Sequence, residues 1–263
     1  ACRAGNEGAV RILLNRGANP NHSTLSGVTC LGAVCMCNNK IQIADLLVEA
    51  GAFIEGTDKC GGTLYHQASA YGNIQMIEWL QTFQKKTTAS YKSTSNGSHH
   101  ISHETHNMKN SQSSTSPVAT SNEKTTQADR LRGQQPIHLA VLNGHTALVQ
   151  YLLEHHLALA DAEDGDGCTP LYYASGRGHL QMVKVLLQHG ANPTSGGSRR
   201  TSLHAACGWG HAQVALELLL AGADPQALDA SGSTPLQVAQ LAAGRKAGVQ
   251  SVIDILMRFL PAV

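Results

Sequence analysis

The order of apolar and polar positions along the chain predicts pairs of short helices. In residues 169–193, Thr169-Pro170 favours a helix start, because the hydroxyl caps free amides and proline brings a preset φ with no amide hydrogen to satisfy. Gly178-His179 then turns the chain, since glycine allows positive φ. A second helix follows with one apolar stripe, marked by Val183, Leu186 and Leu187. Gly-Ala-Asn-Pro at 190–193 stops it.

This pattern returns with a period of about 33 residues. Copies begin at Thr29, Thr63, Gln135, Thr169, Thr201 and Thr234. Two short antiparallel helices cannot bury both of their faces alone, so neighbouring copies must stack on each other.

Three of the copies carry a recognisable start. Residues 201–206 read T-S-L-H-A-A, residues 63–68 read T-L-Y-H-Q-A, and residues 169–174 read T-P-L-Y-Y-A, with Tyr172 in the histidine place. Together with the Gly-His turn and the L-L-x-x-G-A ending, this sequence pattern resembles that of the ankyrin repeat family. The resemblance implies an all-α solenoid of about six helix-turn-helix repeats, joined by hairpin-like finger loops, that binds other proteins.

Three copies depart from the pattern. Residues 1–21 contain a second helix and its turn but only the tail of a first helix, so we expect further sequence before residue 1 and a longer polypeptide. Gly32 replaces the histidine in the copy at Thr29, which should be the least stable repeat. The last copy carries the extra residues 242–250 between its helices, which is typical of a C-terminal cap.

The chain therefore divides into three parts. Residues 1–83 hold the N-terminal repeats, of which the first is truncated, and residues 132–263 hold the C-terminal repeats with the modified capping repeat. Between them, residues 84–131 are rich in Ser, Thr, Asn and His and contain hardly any branched aliphatic side chain. Such a segment cannot bury enough apolar surface to offset its chain entropy, so we predict a disordered insert.

The insert contains a cluster of histidines, His99, His100, His103 and His106, around Glu104. Imidazoles in such numbers could bind zinc. However, the H-E-x-x-H order of zinc peptidases is absent, and a flexible segment would lose entropy on binding. We expect weak or no metal binding and no cofactor; phosphorylation, for example at Ser116, is a better hypothesis for this segment.

Composition limits which cellular compartment and which classes of binding partner are expected. The formal net charge is +1, which gives no reason to expect nucleic acid or an anionic membrane as the partner. Seven cysteines without a C-x2-C pair favour a reducing compartment, the cytoplasm or the nucleus. No apolar run approaches the length of a membrane span, so membrane insertion is not expected.

Candidate binding residues are those that vary between copies at positions expected to be exposed. In each copy from Thr63 to Thr201, the first helix contains an alanine five residues after the start of the copy. The residue three places after this alanine should face the concave groove of the solenoid, and the residue one turn earlier should lie beside it. The predicted partner-binding residues, with two arginines from a finger loop, are Tyr71, Asn143, Tyr173, Arg177, Arg199, Arg200 and Trp209. Trp, Tyr and Arg are common at protein-binding hot spots.

No arrangement of nucleophile, base and oxyanion donors can be read in the sequence, so we do not expect an enzyme. The leading hypothesis is a non-catalytic scaffold that binds a protein or peptide. The alternative is a regulatory or targeting arm of a larger protein, such as a kinase, a channel or a ubiquitin-ligase adaptor, whose activity lies outside these residues.

Overall fold

The structure is a computed structural model that describes residues 1–38, 40–94, 131–245 and 248–260. These residues form thirteen α-helices and one short 3-10 helix, Cys2–Ala4. In chain order the α-helices are α1 (Glu7–Asn15), α2 (Cys30–Cys35), α3 (Ile41–Glu49), α4 (Leu64–Ala70), α5 (Ile74–Thr94), α6 (Pro136–Leu142), α7 (Thr146–Glu154), α8 (Pro170–Arg177), α9 (Leu180–Gln188), α10 (Ser202–Trp209), α11 (Ala212–Leu220), α12 (Pro235–Ala242) and α13 (Val249–Phe259).

The helices form two layers. From α2 onward, the even-numbered helices, here called the inner helices, pack on one another in sequence, for example α10 between α8 and α12. The odd-numbered outer helices form the second layer, in which α9 lies between α7 and α11. In the described residues the only strand-like pairing is two isolated bridges, Ser23 with Thr29 and Gly196 with Thr201, in the finger loops. The predicted helical solenoid of about six repeats is confirmed.

Equivalent small and branched residues build one continuous core. The inner helices contribute Ala140, Ala174 and Ala206, which are fully buried and let adjacent helices approach closely. Behind each alanine the outer helix presents an apolar stripe, as at Val183 and Leu186. Because both helices of a repeat are buried between neighbouring copies, we expect the repeats to be stable only as a stack.

The stack continues across the insert. Helices α4 and α6 pack directly against each other, although residues 71–135 separate them in the chain. His66 Nε2 lies 2.9 Å from the carbonyl oxygen of Gln134, and His145 Nε2 lies 3.0 Å from that of Ala70. The repeats on either side of the insert are therefore joined by the same contacts that join any other pair.

One helix boundary differs from the prediction. The insert was predicted to begin at residue 84, but helix α5 continues to Thr94. No glycine or proline interrupts residues 74–94, and a polar composition alone does not stop a helix. The rest of the predicted insert, residues 95–130, including the histidine cluster and Ser116, lies outside the described residues.

Candidate partner-binding surface

Four of the predicted binding residues occupy equivalent ends of neighbouring inner helices. Tyr71 and Asn143 are the residues that end α4 and α6, and Arg177 and Trp209 are the last residues of α8 and α10. All four side chains are exposed, Tyr71 by 47% and Trp209 by 57%. We call these four residues the inner row. The structure thus brings together, on adjacent repeats, the residues that the repeat register predicts.

The turns that follow the inner row are tightly held. Gly178 and Gly210 adopt the left-handed conformation that ends α8 and α10. The His211 ring packs against Gly178, where a Cβ would lie 2.5 Å from Nδ1, and its Nε2 donates to the carbonyl oxygen of Gly176 at 3.2 Å. The turns at Gly72, Gly144 and Gly210 also lie against the following repeat, so the backbone at the end of each inner-row helix is packed on its neighbour.

The exposed Asn143 side chain also forms a hydrogen bond within its own helix. Its side-chain amide donates to the carbonyl oxygen of Leu139, one turn back, at 2.9 Å. The same carbonyl oxygen also accepts the backbone N–H of Asn143 at 3.1 Å, so the side chain adds a second hydrogen bond at the end of α6. Asn143 is therefore exposed, but part of its hydrogen-bonding capacity is used locally.

Tyr173 takes part in the packing between repeats. Its hydroxyl donates to Asp164 Oδ2 at 2.6 Å, and its ring meets His138 edge-on with centroids 6.0 Å apart. Burial, and then the hydrogen bond to Asp164, raise the pKa of Tyr173 well above its usual range. Because Tyr173 is half-buried and its hydroxyl is engaged, only part of its side chain is available to a partner.

Three aspartates that precede the repeat starts hold the finger loops. Asp58, Asp164 and Asp229 each accept two backbone N–H bonds from residues two and four positions later, at 2.8 to 3.0 Å. Hydrogen bonds from Ser231 and Ser233, together with the charge of Arg200, lower the pKa of Asp229. The constant position of the three aspartates, five residues before Thr63, Thr169 and Thr234, is the signal that could have revealed the turn.

The two finger-loop arginines differ in their surroundings. Arg200 Nε donates to Asp229 Oδ2 at 3.1 Å, so its guanidinium is held against the next finger loop. Arg199 is exposed, while its carbonyl oxygen accepts the N–H of Ala230 at 2.8 Å. Similar backbone bonds join other finger loops, as from Gly165 to Arg132 at 2.7 Å. Arg199 is therefore an exposed side chain on a loop that is bonded to its neighbour, whereas the Arg200 side chain forms an ion pair within the fold.

The histidines of the repeat starts are structural. In His138, Nδ1 accepts the N–H of Gln135 at 3.0 Å, and Nε2 donates to the carbonyl oxygens of Ala162 and Cys168 at 3.0 and 3.1 Å. His204 bonds Thr201 through Nδ1 and the carbonyl oxygen of Ser233 through Nε2. Burial lowers the pKa of both rings, so both are neutral at physiological pH.

Other features of the described residues concern thiol reactivity, metal binding and membrane spanning. All seven cysteines are free thiols, and burial raises the pKa of Cys35 and Cys207 to about 12, which disfavours the reactive thiolate. Within the described ranges, no group of three or more His, Cys, Asp or Glu side chains is placed to hold a metal ion. None of the helices described is long and apolar enough to cross a membrane.

Family models describe the same repeat. Residues 1–101 and 116–197 match a model for ankyrin repeats in three copies, and residues 186–239 match a second model for ankyrin repeats in many copies. Among solved structures, the human ASB11 ankyrin repeat domain superposes with a TM-score of 0.72 at 24% identity, covering 100% of this chain and 97% of that one. The ankyrin repeat domain of Bcl-3, described as a unique member of the IkappaB protein family, gives 0.62 at 27% identity, covering 98% and 96%.

Curated relatives match over parts of their length. The chicken (Gallus gallus) nuclear factor NF-kappa-B p105 subunit is 28% identical over 160 residues, which are 61% of this chain and 16% of that protein. The E3 ubiquitin-protein ligase KEG of Arabidopsis thaliana is 41% identical over 69 residues, 26% of this chain and 4% of that protein. The 26S proteasome non-ATPase regulatory subunit 10 of Dictyostelium discoideum is 39% identical over 57 residues, 22% of this chain and 25% of that protein. The chain thus spans a quarter or less of the length of these relatives.

Proposed function

We propose that this chain, which belongs to the ankyrin repeat family, is a non-catalytic scaffold that binds a protein or an extended peptide through the inner row and the finger loops. Ankyrin repeats are protein–protein interaction modules. In this proposal the solenoid needs no cofactor: its work is to hold a row of side chains in fixed positions on its concave side.

The observation that carries this proposal is the inner row itself. Tyr71, Asn143, Arg177 and Trp209 are exposed and stand at equivalent positions of adjacent helices, on turns fixed by the following repeat. Binding to a preorganised surface costs little ordering entropy on the scaffold side. Tyr, Trp and Arg are also the side chains most often found to dominate binding energy.

The predicted residues contribute in different ways. Tyr71, Arg177 and Trp209 supply the main contacts from the inner row, and Arg199 extends the surface along a finger loop. Asn143, Tyr173 and Arg200 already bond within the fold, so they shape the surface and contribute through the atoms that remain exposed.

A second candidate is a regulatory or targeting arm of a larger protein, such as a kinase, a channel or a ubiquitin-ligase adaptor. The short share of each curated relative that this chain matches favours it. In both candidates we place the protein in the cytoplasm or the nucleus, where seven free thiols stay reduced.

The experiment is affinity capture from a cell extract with three forms of the chain. The first is the wild type, and the second is the double variant Arg177→Ala, Trp209→Ala. The third is a matched control, Met257→Ala, Arg258→Ala, in which an exposed apolar side chain and an exposed arginine on α13 are removed. Circular dichroism checks that all three are folded.

Partners retained by the wild type and the control but lost by the inner-row variant would support binding at the inner row. Equal capture by all three forms would move the binding site to the finger loops or the insert. No capture by any of them would contradict a self-sufficient scaffold and favour the arm of a larger protein, which needs sequence outside this chain.

A further inference from the structure

The inner helices are almost without charge. The six helices α2, α4, α6, α8, α10 and α12 are described in full, and Arg177 is the only Asp, Glu, Lys or Arg among their residues. The outer helices differ, with Asp45 and Glu49 on α3, and Lys184 on α9. Arg177 is therefore a single cation on a neutral helical surface.

Among the described residues, no carboxylate forms an ion pair with Arg177. The ion pairs of the described residues join Arg11 to Glu7, Arg132 to Asp166, Lys184 to Glu217 and Arg200 to Asp229. Arg177 belongs to none of them and its side chain is exposed. Its position at the C-terminus of α8 favours a positive charge, because the helix dipole is negative there. A guanidinium also offers a planar fork of donors that matches a carboxylate.

Trp209 stands next to Arg177. A Cβ placed on Gly176 would lie 4.0 Å from Trp209 Cδ1, so the indole reaches across to the last turn of α8, one residue before Arg177. The ring remains 57% exposed. The surface thus pairs one cation with one large aromatic side chain from the next repeat.

Building on the proposed function, we propose that Arg177 and Trp209 bind an extended segment of a partner protein in which a carboxylate side chain pairs with Arg177 and an apolar side chain packs on Trp209. Packed helices lie about 8–10 Å apart. An extended chain advances about 3.1–3.4 Å per residue. The acidic and the apolar residue of the partner are therefore two or three positions apart.

The neutral surroundings make this recognition selective. No other charge on the inner helices can take over the pairing with the partner's carboxylate, and a lysine or arginine at that point would face Arg177 as a like charge. Removing the guanidinium leaves the bound carboxylate without its partner, so we expect about a tenfold to hundredfold weaker affinity for Arg177→Gln.

The test is selection of random peptides displayed on phage against the full 263-residue chain. The same selection is run on Arg177→Gln, Arg177→Glu, Trp209→Ala and the control Arg258→Glu, which makes the same charge change on an exposed arginine of α13. Thermal melting confirms that each variant is folded. A peptide enriched on the wild type is then synthesised, and its Kd is measured for every variant by fluorescence polarisation.

We expect wild-type peptides that carry Asp or Glu two or three positions from an aromatic or branched aliphatic residue. Arg177→Gln should lose the preference for acid, and Arg177→Glu should replace it with a preference for Lys or Arg. Trp209→Ala should lose the apolar preference and keep the acidic one, and Arg258→Glu should match the wild type.

Peptides that bind with no acidic preference, or an acidic preference that survives Arg177→Glu, would overturn this inference and leave the proposed function standing. If no form of the chain enriched any peptide, peptide binding by the inner row would itself be contradicted, and this inference with it.

Discussion

Replacement of His138 tests how the repeats are held together. The side chain is fully buried, and its two ring nitrogens do different work. Nδ1 accepts the N–H of Gln135 and so caps α6, while Nε2–H is shared between the carbonyl oxygens of Ala162 and Cys168 in the following finger loop. A single neutral ring therefore links the start of one repeat to the loop that leads into the next.

Two substitutions separate these contributions. His138→Ala removes every bond of the ring and leaves a cavity, so we expect a loss of about 3–5 kcal/mol in the free energy of unfolding. His138→Gln should keep the cap, because Gln237 occupies the same position in the last repeat and accepts the N–H of Thr234 at 2.9 Å. Only the bonds to the following loop are then lost, at about 1–2 kcal/mol.

The assay is urea unfolding at pH 7.5, followed by circular dichroism. His189→Ala and His189→Gln serve as controls, since His189 is an exposed histidine on the end of α9, and each should cost less than about 0.5 kcal/mol. Equal losses for the two His138 variants would refute the separation into cap and inter-repeat bonds. A loss for His138→Ala no larger than that for His189→Ala would refute the role of the ring altogether.

Two further predictions concern pH and the insert. Burial holds the pKa of His138 and His204 below the ordinary histidine value of about 6.5. The unfolded state therefore binds more protons in mild acid, and stability should fall as pH drops through about 6.5. Urea unfolding at pH 7.5 and 5.5 measures this loss; His138→Gln should reduce it, and an unchanged pH dependence in that variant would contradict the assignment. Replacing residues 95–130 with a Gly-Ser linker should leave helical circular dichroism and cooperative unfolding nearly unchanged, because α4 packs directly on α6. Loss of cooperativity would mean that the replaced segment is part of the core.

The architecture could be predicted from the sequence because each repeat carries its own start and stop signals. Thr169 accepts the N–H of Tyr172, as an N-cap should, and Gly178 ends α8 with positive φ. These interactions join residues that are close in the chain, so the local sequence is sufficient to specify them. The repeat register then carried the prediction from one copy to the next, and the four inner-row residues lie at the ends of adjacent inner helices.

The roles of several side chains could not be predicted, because their partners are distant in the chain. Arg200 bonds Asp229, and Tyr173 bonds Asp164, across loops whose shapes only the folded structure gives. The length of α5 was missed for a different reason: the polar residues after Phe83 indicate a segment that cannot build a core, but they do not exclude helix.

The contrast between side chains that hold the repeats together and side chains that are exposed indicates where function can reside in this chain. Where a repeat has a capping threonine, a buried histidine or a turn aspartate, that side chain is engaged in contacts within the stack, so changing it alters stability first. The inner-row position is different: its neighbours fix the backbone, while the side chain itself is exposed and changes from Tyr to Asn to Arg to Trp along the stack. A fold that leaves the side chain at this position exposed, while the backbone is fixed by its neighbours, can change its partner without changing its core. The specificity of this chain is therefore to be sought where its repeats differ, above all at Arg177 and Trp209.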